Sequence, residues 1–344
     1  MPGAPPLRLS PRPPESTVQS IVRRTTTRRL AAIALAASLA LTLTACGDDS
    51  DGGASPTATA TSTAEADPTA AATASAEDVA ALEKVKVEGE PGTEPTITLP
   101  STPFSVSAAV ARVATDGDGD ALAAGDIVEI QLTAVNGEDG KALGSTYADE
   151  ATGTWTIKDD GSGIPALDDV LLTSHLGAQV VFALTSDDVT QVYVLEPIGK
   201  IDTRAAGTAV APVEGLPTVT LADDGTPTVT AATGDAPTEL TVQPLIEGTG
   251  KTVEAGDNVL VQYSGVLWDG TPFDSSWERS EPFTVSSIGQ AQVIDGWNEG
   301  LVGQKVGSQV LLVVPPDKGY GDQESGSIPA NSTLVFVVDI LWAS

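Results

Sequence analysis

Along the C-terminal third of the chain, apolar positions recur first every second residue and then every fourth. Val259, Val261 and Tyr263 alternate with Leu260, Gln262 and Ser264, as in a half-buried strand. Asp269-Gly270 follows as a tight hairpin turn. Residues 310–314 (VLLVV) and 334–341 (LVFVVDIL) are short β-branched runs that read as further strands. One segment departs from this period: in VIDGWNEGLVG, 293–303, Val293, Trp297 and Leu301 recur at four-residue spacing with Ile294 beside them. That spacing predicts one short helix laying an apolar stripe on the sheet.

The same pattern occurs twice. AGDIVEIQLTAVNGEDGKAL (124–143) parallels AGDNVLVQYSGVLWDGTPF (255–273), LGAQVVFAL (176–184) parallels VGSQVLLVV (306–314), and VYVLEPI (192–198) parallels VFVVDIL (335–341). Upstream, EPTITL (94–99) parallels both LPTVTL (216–221) and TPTVT (226–230). An internal repeat of about 130 residues fixes the architecture. The expected fold class is α+β: two tandem domains, each a curved antiparallel sheet wrapped on one short helix. The expected boundaries are 83–204 and 238–344, with a linker or N-terminal extension at 205–237.

Composition changes the picture at the N-terminus. Arg8, Arg12, Arg23, Arg24, Arg28 and Arg29 precede LAAIALAASLALTLTAC, which reads as a secretory signal over residues 1–45. Leu43-Thr44-Ala45-Cys46 resembles the lipobox of bacterial lipoproteins, and the resemblance implies cleavage before Cys46 and its acylation. Two acyl chains are enough for stable anchoring. The alternative is a plain signal with an incidental cysteine. The Ala/Thr/Ser/Pro-rich stretch at 46–82 is expected to be a disordered tether. Without residues 1–45 the chain has 11 basic and 46 acidic residues, a net charge of −35. Such a surface repels nucleic acid and anionic head groups, so membrane association is expected only through the lipid anchor, on the extracytoplasmic side.

With one Cys and one His, a His/Cys zinc site drops out. No G-x-S-x-G elbow, P-loop or dinucleotide fingerprint occurs. No cofactor and no metal are expected. Asp116, Asp118 and Asp120 in TDGDGDALAAGD fall at calcium-loop positions, but Ala121 and Ile127 stand where Gly and Glu are wanted. A solvated hairpin turn is the reading there. His175 reads as a surface or rim residue.

On pattern alone Tyr263 and Trp297 are core, Asp274 is an Asx-type turn residue, and Tyr320 is a loop aromatic. The blocks taken together say more. VQYSG, DGTPFDSS, PF, QVIDGWNEGL, VGS, PPDKGYG and STLVFVVDIL, in that order, resemble the FKBP-type peptidyl-prolyl isomerases over residues 238–344. That resemblance implies a pocket of Tyr263, Phe273, Asp274, Phe283, Val293, Ile294, Trp297, Tyr320, Ile328 and Phe336. Trp297 would be its floor, the Ile294 amide and the Tyr320 hydroxyl donors to substrate, and Arg279 a support for Asp274 and Tyr263. Proline-containing polypeptides are the implied clients and macrolides the implied inhibitors. Gln292 stands where the best-known members carry an acid, and the flap at 322–327 is about one residue short.

The first copy has Leu132, Leu143, Gly144 and Leu167 in place of Tyr263, Phe273, Asp274 and Trp297, and lacks the Tyr-bearing flap. It is expected to be FKBP-like and non-catalytic. The whole chain therefore reads as a lipid-anchored prolyl isomerase assisting exported proteins. Its rivals are a peptide-binding or chaperone lipoprotein without catalysis and, with less support from the small repeated β units, a solute-binding lipoprotein.

Overall fold

A computed structural model describes residues 73–148 and 151–344. Cys46, the arginine-rich start and the apolar run before the cysteine lie outside the described residues. The described chain begins with helix α1 (Ala76–Leu82). The Asp78 amide donates to the Ser75 hydroxyl at 3.1 Å, and the Ser75 amide donates to the Asp78 carboxylate at 2.9 Å. This reciprocal capping box satisfies two otherwise orphan amides. Leu82, 1% exposed, then joins a cluster with Val110, Val181 and Val194. The tether expected over 46–82 is thereby corrected at its end. Residues 73–82 are folded, because one cap and one buried leucine dock a short helix; the rest of that stretch is not described.

Strands β1 (Lys86–Glu88) and β2 (Thr96–Thr98) form an antiparallel hairpin. A sheet follows, built from β3 (Val110–Thr115), β4 (Ile127–Asn136), β5 (Ala142–Ser145), β6 (Gly153–Thr156), β7 (Gln179–Ser186) and β8 (Val189–Ile201). Helix α2 (Pro165–Leu171) lies between β6 and β7. The strand order is β3-β7-β8-β4-β5, with β6 also on β4. Residues 116–126 are not a hairpin turn, as expected from their Asp/Gly content. They join β3 to β4, which are not neighbours, and they are pinned by the Gly119 amide donating to the Leu176 carbonyl at 3.1 Å.

After β9 (Thr208–Ala209) comes a second hairpin, β10 (Thr218–Leu221) with β11 (Pro227–Thr230). The second sheet comprises β12 (Thr241–Glu247), β13 (Val259–Leu267), β14 (Pro272–Ser275), β15 (Phe283–Val285), β16 (Gln309–Val314) and β17 (Leu334–Ala343), with β9 added at its edge on β12 and α3 (Asp295–Gly300) before β16. Its order β12-β16-β17-β13-β14 repeats the first sheet strand for strand. The registers agree as well: Gly265 faces Asp274 and Phe336, as Ala134 faces Gly144 and Tyr193.

Strands β16 and β17 are buried at every position. Such runs need cover on both faces. On the inner face Val310, Leu312 and Val314 meet Trp297 and Leu301. Helix α3 approaches closely because Gly296 and Gly300 carry no Cβ; one would lie 2.5 Å from Val314 Cγ1 and 2.8 Å from Leu312 Cδ2 respectively. On the outer face Leu311, Val335 and Val337 meet Leu216, Val219 and Val229. Residues 205–237 are therefore no loose linker: their alternating Val and Thr give the hairpin one apolar side for the sheet. Strand β13 also departs from the half-buried expectation, since Leu260, Gln262 and Ser264 are buried too.

Candidate active site

A cleft of about 450 Å³ opens between α3, β13, β14 and the loop joining β16 to β17. All ten residues of the sequence-based pocket line it, and Arg279 stands behind Asp274. Gln292, Ser325, Gly326 and Ser327 line it as well. The sequence marked Gln292 only as standing in place of an acid and left the other three in the flap. Their signal was adjacency to Ile328: Ser325 and Ile328 bond each other's backbone and fold the loop tip inward.

Consecutive strand residues normally point to opposite faces. Phe273 and Asp274 both reach the cleft because β14 bulges. Asp274 pairs with Gly265 and Pro272 with Val266, so Phe273 is the extra residue. Its ring covers Gly265, where a Cβ would sit 2.6 Å from Phe273 Cε2. The first copy has the same bulge but Ala134 under Leu143, and Leu143 is 45% exposed.

The aromatic rings meet edge to face. Trp297 lies 5.1 Å from Tyr263 at 86° and 5.4 Å from Phe336 at 85°. Phe273 lies 5.5 Å from Phe336 and Phe283 6.2 Å from Trp297. In these contacts the positive edge of one ring meets the negative face of another.

A polar group of three side chains stands at the edge of this apolar box. The Tyr263 hydroxyl donates to Asp274 Oδ2, Arg279 Nη1 pairs with Asp274 Oδ1, and Arg279 Nη2 donates to the Tyr263 hydroxyl at 2.9 Å. Burial pushes the Asp274 pKa up, but hydrogen bonds from Tyr263 and Arg279 and the guanidinium charge outweigh it and hold the carboxyl below its ordinary value. Burial, with the bond to Asp274, raises the Tyr263 phenol. Asp274 is thus an acceptor that stays ionised, and Tyr263 stays protonated. The loop bearing Arg279 is held at its start, where the Tyr263 amide donates to the Ser276 hydroxyl at 2.7 Å.

Val293 and Ile294 enter α3 from a strap that sequence reading left unexplained. Asn298 holds it: its Oδ1 accepts from the Gly289 and Ala291 amides at 2.9 and 3.0 Å, and its Nδ2 donates to the Ala291 and Val293 carbonyls at 3.1 and 3.3 Å. A signal was present, since Asn is a poor choice inside a helix unless its side chain bonds backbone. The Ile294 amide makes no backbone hydrogen bond among the described residues. Tyr320 projects from the loop after Val314, 41% exposed.

The first sheet fills the corresponding space. Phe182 stacks on Tyr193 at 4.8 Å and 9°, beside the small Leu167. Phe182 occupies the register of Leu312, and Tyr193 that of Phe336. The bulk that Trp297 supplies from the helix is supplied here from the strand. Strands β7 and β8 are joined by Asp187-Asp188 alone, both at positive φ, where the second sheet has residues 315–333.

A family model described as "FKBP-type peptidyl-prolyl cis-trans isomerase" matches residues 249–341. The chain is 45% identical over 104 residues to FK506-binding protein 1A of Neurospora crassa, covering 30% of this chain and 85% of that protein. It is 43% identical over 103 residues to an FK506-binding protein of Neisseria meningitidis, covering 30% of this chain and 94% of that one. The crystal structure of FkpA from Escherichia coli matches at 36% identity with a TM-score of 0.29, covering 37% of this chain and 51% of that one. The chain belongs to the FKBP-type peptidyl-prolyl cis-trans isomerases. Enzymes of this class rotate the peptide bond that precedes proline.

Proposed function

We propose that isomerisation takes place in the cleft of the second sheet, on proline-containing segments of exported polypeptides. The observation that carries this is the aromatic box with a single hydrogen-bonded acid at its edge. Rotation about X–Pro is slow because the planar amide is resonance-stabilised, with a barrier of about 18–20 kcal/mol. The planar amide is more polar than the twisted one, so a dry apolar wall disfavours the planar form. Binding energy spent on holding the chain in a turn lowers the barrier further. The Ile294 amide and the Tyr320 hydroxyl would orient substrate carbonyls, and Asp274 with Arg279 would keep the Tyr263 ring against Trp297. The chemistry needs no covalent intermediate.

In the same reading the first sheet is a degenerate FKBP-like domain. The shared strand order and registers support it, and the Phe182–Tyr193 plug accounts for its silence. Cys46 would be acylated and hold the protein on the outer face of the cell membrane. The relatives are FK506-binding proteins by name, so a macrolide is the proposed competitor for the cleft.

A proline peptide titrated into the full chain tests the reading by amide NMR. Shifts should centre on Ile294, Trp297, Tyr320 and Ile328, and FK506 should reverse them. Shifts confined to the first sheet would reject it. Cys46→Ser should move the protein from the membrane fraction to the medium; unchanged fractionation would refute the anchor.

A further inference from the structure

The first domain meets the second on a face that no pocket residue uses. Ile127 and Ile201, at the start of β4 and the end of β8, form an apolar cluster with Leu260, Leu341 and Trp342. At its rim Trp342 Nε1 donates to Glu129 Oε1 at 3.1 Å, and the Thr152 amide donates to the Ser344 hydroxyl at 2.8 Å. Leu260 stands at the register where the first sheet carries Glu129. The same outer position is thus charged in one copy and apolar in the other. An uncovered patch of Leu260, Leu341 and Trp342 would be an adhesive surface. Here it is buried by the preceding domain of the same chain.

This contact reaches the site. Leu260 lies on β13, the strand that also carries Tyr263 and Gly265, over which the Phe273 ring lies. Lys158 Nζ lies 3.6 Å from Glu281 Oε1, and Glu281 sits midway between Arg279 and Phe283 in the loop of 276–283. From the other side, the β10–β11 turn comes down on that loop, with Gly225 packed against the Trp277 ring.

We propose that the first domain is an intramolecular brace. It docks on the outer face of β13 and β17 and keeps the 276–283 loop where Arg279 meets Asp274 and Tyr263. The docking stands on its own contacts; its effect on rate rests on the reading of the cleft as the catalytic site.

The test uses the full chain with Ile127→Glu, which puts a charge into the apolar contact. Hydrogen exchange should rise in 258–262 and 276–283 while α3 and β16 stay protected, and kcat/KM should fall about threefold or more, the scale of a lost contact coupling. A folded variant with both segments and kcat/KM unchanged would overturn the brace. Should wild type show no isomerase activity, the proposed function fails while the exchange measurement still decides the docking. If Ile127→Glu does not fold, Thr152→Cys with Ser344→Cys in a Cys46→Ser background decides it instead. An interdomain disulfide forming in good yield with kcat/KM retained supports the docked geometry. Failure to cross-link, or collapse of activity on cross-linking, contradicts it.

Discussion

The Arg279 guanidinium and the Tyr263 hydroxyl are 2.9 Å apart, and each also binds a different oxygen of Asp274. The three side chains come from a strand, the loop beyond it and the bulge between them, and they fix the polar edge of the cleft. Asp274→Val removes the acceptor of both partners. A hydrogen bond to a charged group contributes about 1.5–3 kcal/mol, so kcat/KM on a prolyl peptide should fall about tenfold to a hundredfold. A fall of less than twofold would remove Asp274 from the site.

The ionisation of Asp274 gives a pH signature. Its folded pKa lies below the ordinary value of about 3.9. The stability it contributes is therefore fully present above that value and is lost as pH falls through the folded pKa. Asp274→Asn should lower Tm by a constant amount from about pH 5 to 8, and the difference should shrink below about pH 4. A difference that grows on acidification would contradict the assignment.

Asn298 should act on the site without touching substrate. Asn298→Ala removes four hydrogen bonds from the 289–293 strap. Each contributes about 0.5–1.5 kcal/mol, so exchange in 289–294 should rise and kcat/KM should fall at least about tenfold. Asn298→Asp keeps the Oδ1 acceptor and should recover part of both. Equal exchange in all three proteins would show the strap to be held by other means.

Two differences of size tell the two sheets apart: Leu167 stands in place of Trp297, and Phe182 in place of Leu312. Leu167→Trp adds an indole where Phe182 and Tyr193 already fill the space, and overpacking of this kind costs about 1–3 kcal/mol. Denaturant unfolding should show that loss, and no gain in isomerase activity should accompany it. A neutral or stabilising outcome would mean that the first sheet keeps an open cleft.

Helix α1 packs on the first sheet through Leu82 and is not part of a tether. Ser75→Ala should cost about 1 kcal/mol through the lost cap, and Leu82→Ala about 2–5 kcal/mol through the cavity it leaves. Unfolding midpoints unaffected by both changes would return residues 73–82 to the tether.

Much of this could be read from the residues, because repeated β-strands and a four-residue apolar spacing are local signals. The strand content of VLLVV and LVFVVDIL and the helix around Trp297 follow from period alone. What period could not give was cover. Leu260 looked like part of a solvent face because Ile127, which helps to cover it, is more than a hundred residues away in sequence, and Gln262 and Ser264 did so because they are closed off by the serines Ser276 and Ser275 beyond the β13–β14 turn. Residues 205–237 looked like a linker because a two-stranded hairpin of Thr, Val, Pro and Gly has little core of its own and is ordered only by the sheet beneath it. The adjacency of Phe273 and Asp274 was legible only by likeness to a family. Its physical reason is a bulge, which depends on register between strands and leaves no mark in either strand alone. Asn298 was missed for the same cause: its four partners become a strap only after the chain has turned into α3.

The central claim is tested most directly by the cis-to-trans rate of an Ala-Leu-Pro-Phe-type peptide with the full chain, beside Asp274→Val and Trp297→Ala. The wild-type chain should relax the peptide well ahead of its uncatalysed time of tens of seconds, with Asp274→Val slower and Trp297→Ala close to the uncatalysed rate. A wild-type chain that leaves the rate unchanged would contradict it.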